Sequence, residues 1–141
     1  MHAPALGNTY WAEVGGGAYK DDKRINVSDC AELNRAHFNF GELNNIAKSS
    51  LWPGFCRLTE ITARQRGYGD YLGFALVFEG KSELAFEPFA YPWDWAPMKI
   101  LAQESGGRYS DTIGGNSIYA GGCFISNEQL HDEALSLLLL K

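Results

Sequence analysis

No apolar run in the chain approaches the roughly 20 residues needed to cross a bilayer, since the closing LSLLLLK ends far too soon. The opening MHAPALGNTY has no basic stretch leading into an apolar core, so no secretory signal is expected. Cysteine is sparse: Cys30, Cys56 and Cys123 are odd in number and widely spaced. That pattern fits neither a disulfide framework nor a zinc site and suggests a reducing, cytoplasmic setting. Positive charge is also scarce. Twelve Lys and Arg against 17 Asp and Glu leave a net charge of −5, which argues against a nucleic-acid platform. His2, His37 and His131 follow no ligand spacing and are expected to be structural or exposed.

What remains is ordinary globular composition, 45% hydrophobic and 21% charged over 141 residues, enough for one domain with a sizeable core. The segment TYWAEVGGGAYKDDKRINVS alternates apolar and polar residues around two turns, predicting two or three short strands. Its three glycines are followed by no Lys-Ser/Thr, so a turn is expected there rather than a phosphate cradle. AHFNFG predicts a strand, and Leu43 to Gly67 carries helical spacing twice, with a break expected at Pro53-Gly54. DYLGFALVFEG is apolar nearly all round, as in a buried helix closed by Gly80. SELAFE predicts a strand ending in Glu87, and RYSD and YAGGCFIS predict two more.

Between these lies PWDWAPMKILAQESGG, a helix with an expected stripe of Ala96, Ile100 and Leu101 and a glycine stop. The last helix is expected to open on a capping box at Ser126-Asn127-Glu128-Gln129 and to bury Leu130, Ala134, Leu137 and Leu138. Strands followed by alternation with helices indicate an α/β layer, a mixed sheet with flanking helices.

Asp94 fits two roles. An acid in a first helical turn satisfies free backbone amides, and Pro97 is tolerated near such a start. The same acid follows a strand that ends in Glu87, so both could sit on the rim where α/β sheets bind ligands, or Glu87 could simply face solvent. Arg66 and Asp70 flank the start of the buried helix and could join them, or could be a surface charge and a cap. An arginine among acids suggests a polar ligand with a cation, and oxygen donors favour magnesium or manganese over zinc.

PWDWAPMKILAQESGGRYSD resembles the C-terminal signature of the inositol-monophosphatase-like phosphatases, where a Trp-Asp pair opens a helix ending Glu-x-Gly-Gly. RQRGYGDYLGFALVFEGKSELAFEP is similar to the histidinol-phosphate phosphatase branch, through its Arg-x-x-Gly-Asp pattern. The resemblance implies the C-terminal part of an αβαβα sandwich acting on a small phosphate monoester. It implies that Asp94 binds a catalytic Mg2+ (Mn2+ being possible) and that Arg66, Gly69 and Asp70 line the substrate's organic portion. Glu87 would touch substrate hydroxyls. The family's upstream metal motifs, a Gly-Glu-Glu-like segment and Asp-Pro-x-Asp-Gly-Thr, do not occur; no DG or GEE is present. The expectation is therefore a C-terminal portion with no catalytic residue of its own, weak metal affinity, and an uncovered surface that favours a homo-oligomer. A binding or assembly domain that keeps the scaffold is the alternative.

Overall fold

A computed structural model describes residues 1–140. The chain opens with β1 (His2–Ala3) and a short 3-10 turn, then runs through the antiparallel meander β2 (Asn8–Glu13), β3 (Gly17–Lys20) and β4 (Lys23–Ile25). Alternation along β2 and β3 turns Tyr10 and Ala18 inward and leaves Trp11 and Tyr19 stacked on the outer face, with ring centroids 4.3 Å apart.

A second sheet is built from β5 (His37–Phe40), β6 (Arg64–Arg66), β7 (Leu84–Glu87), β8 (Gly107–Asp111) and β9 (Cys123–Asn127), in the order β6-β5-β7-β9-β8. The β6, β5 and β7 strands are mutually parallel, and β9 pairs antiparallel with both β7 and β8, so the sheet is mixed as expected. Helices α1 (Leu43–Lys48), α2 (Trp52–Ile61), α3 (Asp70–Phe78), α4 (Pro92–Glu104) and α5 (His131–Leu138) complete the fold.

Two apolar clusters fix the layering. One joins Tyr10 and Ala18 of the meander to Phe74, Phe78, Trp95 and Leu101 of α3 and α4, and to Ala85 and Ile125 of the mixed sheet. The other packs Phe38, Phe86 and Phe124, on the opposite face of that sheet, against Phe55 and Leu58 of α2 and Leu138 of α5. The order of layers is sheet, helices, sheet, helices. Both faces of β7 are covered, so all four of its residues are buried rather than one face alone.

Several local expectations are corrected. The chain breaks at Ser49–Leu51 rather than at Pro53-Gly54, because proline's missing donor is harmless in the first turn of α2. Gly54 is required for another reason: a Cβ there would lie 2.1 Å from the Leu138 carbonyl oxygen, so α2 and α5 touch backbone to backbone. In α4 the buried face is Trp95, Met98, Leu101 and Ala102, while Ala96 is exposed and Ile100 only half-buried. The final helix begins at His131. Ser126 and Asn127 belong to β9, and the Asn127 side chain accepts from the Leu130 N–H at 3.1 Å. His131 replaces Leu137 on its buried face.

Candidate functional site

The parallel strands position the site. Glu42 lies two residues beyond β5, Asp70 a short loop beyond β6, and Glu87 at the last position of β7. Three neighbouring strands thus deliver three acids to the same carboxyl-end rim, the edge where open α/β sheets hold ligands. Asp94 joins them from the first turn of α4, which follows β7. All four line one cavity of about 580 Å³, together with Phe89, Tyr91 and Trp93. No lysine, arginine or histidine lines it, and the Met1 ammonium at its wall donates to the Tyr10 carbonyl at 2.8 Å.

Glu87 is the buried member. Its carboxylate fills the space beside Gly41, where a Cβ would meet Oε2 at 2.0 Å, and it lies against Gly69 as well. Burial pushes its carboxyl up to about 7, and the charge of Glu42 adds to this; the Asp70 backbone N–H works the other way. At neutral pH Glu87 therefore exists in both states and can accept or donate a hydrogen bond. The two acids beside it are held in the left-handed region, Glu42 at φ +47° and Asp70 at φ +54°. Side chains with a Cβ rarely rest there, and strain of this kind collects at ligand sites.

Asp94 has both of the roles its sequence context allows. Its Oδ2 accepts from the Tyr91 N–H at 3.0 Å, which caps α4, yet the residue is exposed and lines the cavity. The two tryptophans around it diverge. Trp95 is buried, edge-on to Phe74, and its indole N–H donates to the Gly121 carbonyl at 2.7 Å. Trp93 is 71% exposed and stacks on Tyr91 at 4.8 Å, and Tyr91 in turn meets Phe89 edge-on. A row of three exposed rings thus borders the acidic cavity.

The structure brings Asp70, Glu87 and Asp94 together, with Gly69 against the Glu87 carboxylate. Arg66 is not among the cavity's lining residues. It sits on edge strand β6, its Nη1 donating to the Gln65 carbonyl, and lines a separate groove with His37, Arg64 and Lys81. Sequence reasoning passed over Glu42, although its context, an acid just past a strand of alternating phenylalanines, parallels that of Glu87.

The donor set suits a hard divalent cation in kind, being all carboxylate oxygen. In number it is incomplete: among the described residues no three acidic, histidine or cysteine side chains converge closely enough to hold a metal.

A mixed sheet between helix layers, with acids from adjacent parallel strand ends gathered around one cavity, defines an α/β sandwich with a polar ligand site. Residues 1–139 match the inositol monophosphatase family, and the chain belongs to it. It is 38% identical to a histidinol-phosphatase of Mycobacterium tuberculosis, an alignment covering 98% of this chain and 55% of that protein. It is 30% identical to the fructose-1,6-bisphosphatase/inositol-1-monophosphatase of Thermotoga maritima, covering 98% and 53% respectively. A solved IMPase from Thermotoga maritima superposes with a TM-score of 0.83 at 31% identity, over 97% of this chain and 53% of that one. The chain therefore spans about half the length of the curated relatives it matches, corresponding to their C-terminal half. No helix among the described residues is long and apolar enough to cross a membrane.

Proposed function

We propose that the chain is the C-terminal, substrate-holding part of a magnesium-dependent phosphomonoesterase, and that its cavity receives the organic portion of a small phosphate monoester. The observation that carries this reading is the cavity itself. Glu42, Asp70, Glu87 and Asp94 line it with no basic side chain to balance them. Such walls favour a ligand that brings positive charge, either its own or that of a bound metal ion. The exposed rings of Phe89, Tyr91 and Trp93 add faces that attract an organic cation. A phosphate ester carrying an ammonium group, such as histidinol phosphate, fits these walls better than inositol monophosphate. The 38% identity to a histidinol-phosphatase points the same way.

In this reading Asp94 would hold Mg2+ (Mn2+ being the alternative) together with ligands from outside this chain. When bound, such an ion polarises the phosphoryl group. Glu87, poised near neutrality, takes a hydrogen bond from a substrate hydroxyl or ammonium, and Asp70 and Gly69 shape the wall beside it. Phosphate release from histidinol phosphate in millimolar magnesium tests the proposal. Slow turnover that drops at least tenfold in Asp94→Asn is expected; equal rates in the two proteins would remove Asp94 from the chemistry.

The alternative, a binding or assembly domain on the same scaffold, draws on the lack of a three-residue metal cluster among the described residues. It is favoured if no turnover occurs while histidinol phosphate still binds. Self-association through the outer face of the meander, where Trp11 is 46% exposed, belongs to either reading. A monodisperse monomer in light scattering at high concentration would exclude it.

A further inference from the structure

The cations of this acidic protein are not spread evenly. In the parallel pairing of β5 and β6, His37 faces Arg64 and Asn39 faces Arg66. Alternation puts these four side chains on one face of the sheet, while Phe38 and Gln65 turn to the other. Together with Lys81, Tyr68 and Ser82 they line a groove of about 240 Å³ at the open edge of the sheet.

The charges in this groove are under-compensated. Arg64 and Arg66 are exposed, and among the described residues neither takes part in an ion pair. Lys81 pairs with Glu79, but Glu79 is shared with Lys20 and also accepts from the Tyr10 hydroxyl, so one carboxylate serves two ammonium groups. Glu83, next in the chain to Ser82, offers no compensation either. It is buried and already engaged, accepting from the His37 N–H at 2.7 Å and the Ser28 hydroxyl at 2.9 Å. Asn39 is likewise committed, donating to the Gly73 carbonyl and the Ser82 hydroxyl. The donors left over are therefore mainly those of the two guanidinium groups, of which Arg66 already gives one Nη1 bond to the Gln65 carbonyl.

We propose that this groove is an anion-binding site for a small ligand bearing a phosphate or carboxylate group, separate from the acidic cavity. Two guanidinium groups two residues apart on a strand point the same way and repel each other when empty. A tetrahedral or planar oxyanion placed between them relieves that repulsion and offers each a forked pair of hydrogen bonds. Tyr68, 44% exposed at the same groove, adds a hydroxyl donor. Lys81 adds positive charge at the groove wall without direct contact being required.

Titration with inorganic phosphate, and in parallel with citrate, tests the site by NMR at low ionic strength with a chelator present. Chelation matters because the four-carboxylate cavity repels anions when no metal ion is bound, so any saturable binding must arise elsewhere. Saturable shifts at Arg64, Arg66, Tyr68 and Lys81 are expected. The dissociation constant should rise at least tenfold in the double variant R64Q/R66Q and only partly in R64K/R66K, which keeps charge and loses the fork. Asp94→Asn should leave the binding intact, which separates this site from the phosphatase reading. Phosphate shifts larger than citrate shifts would identify a phosphate site, and the reverse a carboxylate site. Shifts absent from these residues, or unchanged affinity in R64Q/R66Q, would overturn the proposal.

Discussion

The carboxylate of Glu87 stands where a side chain on Gly41 would have to go, and a Cβ there would come within 2.0 Å of Oε2 and 2.3 Å of Oε1. One residue's lack of a side chain is thus the other's binding pocket. The acid is lodged at a strand end against bare backbone, shielded from water, and this shielding raises its pKa.

Gly41→Ala should expel the Glu87 carboxylate toward the cavity mouth. The obstructing atoms are the end of a flexible side chain, so the fold should survive, with a loss of about 1–2 kcal/mol at low pH, in the range of mild overpacking, and a smaller one above pH 7, where the charged carboxylate regains water. Once in water, Glu87 should titrate close to an ordinary glutamate. Carbon-detected NMR of its carboxyl checks this; a midpoint that stays near 7 in the variant would contradict the packing argument.

Glu87 also gives stability a pH signature. Its folded pKa is raised from 4.5 to about 7. The native state therefore keeps a proton that the unfolded state loses, and stability declines as pH rises from 4.5 to 7. The full loss is about 3 kcal/mol by the usual conversion of a pKa shift. Glu87→Gln should be more stable than the parent above pH 7 by a similar amount, with the gap closing below pH 5. Urea denaturation at three pH values measures it, and a gap that does not vary with pH would refute the burial.

His131 has the opposite sign. Its ring is fully buried, with Nε2 2.8 Å from the Ser110 hydroxyl and Nδ1 2.7 Å from that of Ser126. Ser126 donates its one proton to the Asn127 carbonyl, so Nδ1 must carry the imidazole proton and Nε2 must accept from Ser110. Burial, assisted by the charge of Arg108 and opposed by Asp132, lowers its pKa from 6.5 to about 4. Here the unfolded state binds the extra proton, and stability falls as pH drops from 6.5 to 4. Between pH 4.5 and 6.5 the slopes of Glu87 and His131 oppose one another. Nitrogen NMR should find a neutral Nδ1–H tautomer with no titration above pH 5; a midpoint near 6.5 would contradict it.

Much of this fold is legible in the residues because its strands are short and its helices carry their own stops. Gly80, at φ +66°, ends the buried helix region where the sequence places it. The errors fall where tertiary contact overrides local pattern. Helix α4 lies between two sheets, so Trp95 and Met98 are drawn into the core while Ala96 is left outside. Ser126 reads as a capping residue but is claimed by the ladder, paired with Leu84 and Arg108. Arg66 is close to Asp70 along the chain, yet its strand lines a different groove. Glu42 follows its strand as Glu87 ends its own, but it lies two residues past β5 in a left-handed turn, and only the parallel alignment of β5 with β7 brings it beside Glu87.

Asp94 offers the cavity a carboxylate that also caps its helix. Asp94→Asn separates these roles, since the amide oxygen can still accept from the Tyr91 N–H while the charge is gone. Magnesium titration followed at the Asp94 side-chain carbon, with helix content monitored alongside, is the direct measurement. A saturable shift in the millimolar range is expected, with Asp94→Asn abolishing the binding and leaving α4 folded. A side chain indifferent to magnesium, or a variant that binds the ion equally well, would contradict it.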